Sequence, residues 1–125
     1  MSKKKKCIRK FAEWLIANNP VPRVPYIRIV WNYPAIATEG GVGFGVFVAD
    51  DPVRKRIYVA GKWRKAMVME TFAHEWRHCM QYYALAPVGF TADDDIEQDA
   101  EAWALEKVCE YKQVVRERKK RRVYK

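Results

Sequence analysis

Apolar residues recur at helical spacing through residues 7–18: Ile8, Phe11, Ala12 and Leu15 share a face, and Asn18-Asn19-Pro20 stops the run. Pro20, Pro22 and Pro25 make an extended lead-in. From residue 26 the period changes to two. Ile27, Ile29 and Trp31 fall on one face and Tyr26, Arg28 and Val30 on the other, which predicts a strand over 26–31. Residues 44–49 and 56–60 predict two more strands, joined as a hairpin through Asp50-Asp51-Pro52. Gly41, Gly43 and Gly45 precede a strand, whereas a phosphate cradle needs a helix N-terminus after it. They are expected to form a flexible loop entering the strand.

Residues 65–85 carry the strongest helical pattern, closed by Pro87 and Gly89. At 100° per residue, Val68, Phe72, Trp76, Cys79 and Tyr83 form one stripe. Met67, Thr71, His74, His78, Tyr82 and Leu85 form the stripe beside it. Ala66, Glu70, Ala73, Arg77 and Gln81 take the remaining arc, expected to face water. So much apolar circumference predicts a central helix with both histidines on a buried face. A last helix is predicted from residues 93–95 to about 118, capped by Thr91 or an aspartate. Ala104, Val108, Tyr111 and Val115 form its inward stripe, and Glu97 and Glu101 head that same stripe. Carboxylates on an apolar face need a partner, because unpaired buried charge is costly. Together these elements predict an α+β fold: an N-terminal helix, a small three-stranded sheet, then two long helices.

A chain of 125 residues fits a single domain, 1–125. No apolar run is long enough to span a membrane, and Arg9, Lys10 and Glu13 break the stretch that a secretory signal would need. Cys7, Cys79 and Cys109 are odd in number and far apart, which suits free thiols in a reducing, cytoplasmic setting. The net charge of +9 is uneven. Residues 1–10 hold six basic groups, and residues 112–125 hold eight against Glu117 alone. The span between them has ten basic and fourteen acidic residues, a net of −4. The ends, 1–6 and 119–125, are expected to be solvated and disordered, with nucleic acid or an acidic protein as the functional alternative.

The two histidines of the chain both fall in His74-Glu75-Trp76-Arg77-His78, an HExxH motif on a predicted helix. Positions i and i+4 project from one helix face about 5–6 Å apart, so two imidazoles can grip one Zn2+. Glu75, one step round, can reach a water on that ion and act as general base. A catalytic zinc needs a third protein ligand. With no third histidine, that points to carboxylates ahead of a thiolate.

The run Glu97-Gln98-Asp99-Ala100-Glu101-Ala102-Trp103-Ala104 resembles the glutamate helix of gluzincin-type metallopeptidases. It is especially similar to the E-x-E-A-x-x-F-A run of ImmA/IrrE-like peptidases, with Asp99 and Trp103 as the second acid and the aromatic. The resemblance implies a minimal zincin-like domain, Glu97 as third zinc ligand, and Glu101 orienting a ligand histidine from behind. On the helical wheel Asp99 lies about 160° from Glu97 and is expected to face outward. The family's oxyanion stabiliser, often His or Tyr, would here be Tyr82, Tyr83, Tyr58 or Arg77. The resemblance also implies that strand 56–60 is a sheet edge above the active-site helix, where a peptide or protein substrate adds as a strand. SprT-like metalloproteases, which act near DNA, share HExxH and a similar basic character, but their usual third histidine is missing here. Two rival readings remain: a non-catalytic zinc-stabilised module that binds nucleic acid or protein, and a helical domain without metal. Glu75 argues for catalysis, since a structural site has no use for it.

Overall fold

Chain direction and register follow from the apolar pattern with a few displacements. The computed structural model describes residues 2–38, 40–50, 53–86 and 93–123. Helix α1 (Lys3–Asn18) is followed by strands β1 (Tyr26–Val30), β2 (Ile36–Thr38), β3 (Gly41–Gly43), β4 (Gly45–Val48) and β5 (Arg56–Ala60). Helices α2 (Lys65–Tyr82) and α3 (Asp93–Val123) complete the chain. The class is α+β, as expected.

Helix α1 begins at Lys3 rather than residue 7, because Ser2 caps it: its hydroxyl accepts the Lys5 N–H at 3.2 Å. The basic start is anchored. Lys4 Nζ donates to the Gly61 carbonyl at 2.8 Å, and the Lys5 ammonium sits 5.3 Å from the Trp31 ring centre. At the other end α3 continues to Val123, past the predicted stop near 118. The segments 3–6 and 119–123, expected to be irregular, are therefore helical, although Arg116 to Arg122 are all exposed. Residues 1, 124 and 125 lie outside the described residues, as do Asp51-Pro52, Pro87, Gly89 and the capping candidate Thr91.

β4 and β5 form the expected antiparallel hairpin, with Phe47 opposite Ile57. β1 joins β5 in parallel, Ile27 beside Ile57 and Ile29 beside Val59. The order β1-β5-β4 puts β5 at the centre of this sheet and corrects the expectation that 56–60 is an edge. Pairing with both β1 and β4 gives it that place, and Ile57, Val59 and Ala60 are all buried there. The edge on the hairpin side is β4. The glycine segment is also corrected, since Gly41–Gly43 pairs antiparallel with Ile36–Thr38 instead of forming a loop.

Helix α2 is central, packed by α1, α3, β4 and β5. Its first stripe behaves as predicted: Val68, Phe72, Trp76 and Cys79 are wholly buried against Ile8, Phe11 and Leu15 of α1 and Ile57 and Val59 of β5. The Trp76 indole N–H donates to the Asn19 carbonyl at 3.0 Å. The arc assigned to water is a correction, because Ala73, Arg77 and Gln81 are buried there. The reason is α3, which brings Trp103, Ala104, Val108 and Tyr111 into the same core. α2 also stops at Tyr82, short of Leu85. Ala84 takes φ 56°, and the Leu85 N–H turns back to the Met80 carbonyl at 2.9 Å.

Candidate metal centre

The α2–α3 contact brings the predicted ligands together. His74 and His78, one turn apart, present Nε2 atoms 3.1 Å from each other. Glu97, from the first turns of α3, places Oε2 2.9 Å from His74 Nε2 and Oε1 2.8 Å from His78 Nε2. These are the ligand atoms that a tetrahedral metal requires. Zn–N bonds of about 2.0–2.1 Å with tetrahedral angles set donors roughly 3.3 Å apart. The three observed separations, in which Glu97 offers a different oxygen to each imidazole, are within about half an ångström of that, and two imidazoles with one carboxylate suit zinc chemistry. His74, His78 and Glu97 are the group among the described residues that can hold a metal ion. Burial, then the neighbouring His78, holds the His74 imidazole below its ordinary pKa, against the opposing pull of Glu97 and Glu101. A neutral ring is the form that ligates.

Glu75 lines the same cleft as the triad but is itself buried. Burial pushes its carboxyl up to about 8, the Glu97 charge adds to the rise, and the Phe47 N–H works against it. A cation held by the triad would act in the opposite direction, favouring the carboxylate. Strand β4 approaches Glu75 closely because residue 45 is glycine. A Cβ there would lie 2.8 Å from Thr71 Cγ2 and 3.1 Å from Glu75 Cγ. The Phe44 carbonyl is taken by Ala60 N–H at 2.8 Å. Alternation along the strand then turns Gly45 and Phe47 outward, to the edge that meets Glu75.

The other predicted residues separate. Tyr82 lines the cleft, with its ring 6.0 Å from Phe47 and the Lys55 ammonium 5.2 Å from its ring centre. Tyr83, Tyr58 and Arg77 do not line it. Tyr83 donates its hydroxyl to the Arg23 carbonyl at 3.5 Å, and the Tyr58 hydroxyl accepts from Arg56 at 2.9 Å. Arg77 binds Asp99 through Nε–Oδ2 at 2.7 Å and Nη2–Oδ1 at 3.0 Å, and lies 5.1 Å from the Trp103 ring centre. Asp99 is thus not a free outward residue. The Arg77 hydrogen bonds hold its carboxyl below the ordinary range, helped by Gln81. Glu101 lines the cleft and acts on His74 through its charge alone. Instead, His78 Nδ1 pairs with Gln81 Oε1 at 2.7 Å. Sequence reasoning missed Gln81, yet a signal existed: it follows His78 by three residues, a spacing that makes helical neighbours.

The chain matches no family model, no curated protein and no solved structure when compared with each of these.

Proposed function

We propose that this protein is a zinc-dependent peptidase of gluzincin type, with His74, His78 and Glu97 holding the metal and Glu75 as general base. The observation that carries the reading is the meeting of three ligand residues from two helices, their nitrogen and oxygen atoms 2.8–3.1 Å apart with one Glu97 oxygen toward each imidazole, in a cleft shared with the separate carboxylate of Glu75. Bound zinc would supply a Lewis acid and make a water acidic near neutral pH. The chain's own residues do the rest. Glu75 takes a proton from water and returns it to the leaving amine, held in place by the Phe47 N–H and by the close approach of Gly45. The outer edge of β4 in the described sheet offers the Gly45 backbone groups and the Phe47 carbonyl to an extended peptide, so the substrate lies beside Glu75. Tyr82, the one candidate that lines the cleft, is the group suited to a developing oxyanion. No described helix is long and apolar enough to cross a membrane.

The test joins zinc titration to peptide hydrolysis. The parent is expected to bind one zinc per chain and cleave an unstructured protein substrate. Glu75→Gln is expected to keep zinc and lose about 10²–10⁴-fold in kcat, as loss of a general base does. Full activity in that variant removes the general-base assignment. A parent that takes up no zinc removes the metal reading.

A further inference from the structure

We infer that Gln81 is the residue that positions His78 for the metal, and that Asp99 and Arg77 act through it. The inference rests on the zinc reading above. Gln81 is buried beside the triad, and its Oε1 lies 2.7 Å from His78 Nδ1. A carbonyl oxygen only accepts, so the His78 proton belongs on Nδ1 and the Nε2 lone pair points at the triad.

That argument needs the side-chain amide to sit one way round, and its surroundings decide this. Gln81 Nε2 donates to the Ile96 carbonyl at 3.0 Å and to Asp99 Oδ2 at 2.9 Å. Neither partner can donate. With the amide reversed, its oxygen would face two acceptors, the Ile96 carbonyl and the Asp99 carboxylate. The orientation is therefore set by bonds on both sides. Asp99 is fixed in turn by two bonds from Arg77, whose guanidinium packs over Trp103.

The chain of contacts runs from Trp103 through Arg77, Asp99 and Gln81 to His78, and it joins α2 to α3. It also ties the docking of α3 to the ligands, because Ile96, whose carbonyl Gln81 holds, is the residue before Glu97. One side chain thus sets the histidine of one helix and the start of the ligand turn of the other. Glu101, to which the resemblance gave this role, makes no hydrogen bond to either histidine among the described contacts. Groups that hold a ligand histidine from behind are typically worth about 10–100-fold in metal affinity.

The experiment is competitive zinc titration of the full chain, with Co2+ absorption spectra of the same proteins and thermal melts with and without zinc. Gln81→Leu is expected to lose about 10–100-fold in zinc affinity. It should also broaden the Co2+ bands and shrink the rise in Tm that zinc produces. Asp99→Ala is expected to lose less, since the Ile96 carbonyl still holds the amide. A merely structural role would lower the metal-free Tm of Gln81→Leu and leave its zinc affinity and Co2+ spectrum as in the parent; that result overturns the inference. A parent that binds no zinc overturns the metal reading itself, and is told apart by the parent titration alone.

Discussion

Helix α2 has two sides that are held by different means. On one side Val68, Phe72, Trp76 and Cys79 meet α1 and the sheet with no exposed surface at all. That contact is apolar and non-directional, and its worth scales with the area removed from water. On the other side His74, Glu75 and His78 meet β4 and the first turns of α3, where Glu97 keeps 60% of its side-chain surface exposed. There the worth lies in placement, because an imidazole moved by an ångström still packs but no longer ligates. Between the two sides stands the Arg77–Asp99–Gln81 network, polar and sheltered, which ties the packing of α3 to the geometry of the ligands. The comparison teaches that stability and site chemistry on one helix can be changed separately.

A crossed pair of substitutions tests that separation most strongly. Trp76→Ala empties a large buried site and breaks the bond to Asn19, with an expected loss of about 3–5 kcal/mol in the metal-free protein. Zinc affinity of the molecules that remain folded should be unchanged. Glu97→Ala should do the reverse: zinc binding is lost, while urea denaturation of the metal-free protein shifts by no more than about 0.5 kcal/mol, as for an exposed side chain. If both variants lose both properties, the two sides are a single unit.

A smaller effect falls on both sides at once. Gly45→Ala drives a methyl against Thr71 and Glu75, and relieving that contact is expected to cost about 1–3 kcal/mol. Because β4 must move away from Glu75 to do so, peptide cleavage should fall while zinc affinity stays at the parent value. Unchanged kcat/KM in this variant would separate the β4 edge from the reaction.

The smallest expected effect is at the end of α3. Lys119 to Arg122 are all exposed, so after removal of residues 119–125 the melting midpoint and zinc uptake should match the parent. Any binding to nucleic acid should weaken steeply with salt in the parent and be largely lost in the shortened chain. Equal binding by both would put that surface elsewhere.

The chemistry-bearing residues were legible because local spacing carries them. His74, Glu75 and His78 lie within one stretch of helix, and a 100° step is enough to put two imidazoles on one face. The apolar stripes of α1 and α2 and the three strands of the larger sheet were legible for the same reason: their periods are properties of the chain itself. Other features were decided only by the tertiary arrangement. Nothing in residues 56–60 says which neighbours flank that strand, so the central place of β5 awaited its pairing with both β1 and β4. Gly41–Gly43 is too short and too rich in glycine to declare itself, and becomes a strand because Ile36–Thr38 lies beside it. Arg77, Gln81 and Asp99 read as water-facing on wheels drawn one helix at a time. They are partners because α3 covers that arc of α2, and a wheel holds no information about the helix opposite. The sequence by itself determined which residue types can ligate and which apolar stripes must be buried, since both follow from residue type and helical or strand period. Only the packing of α3 on α2 decided which carboxylate reaches the histidines and which way round the Gln81 amide sits, because those are contacts between residues fifteen to twenty-three positions apart.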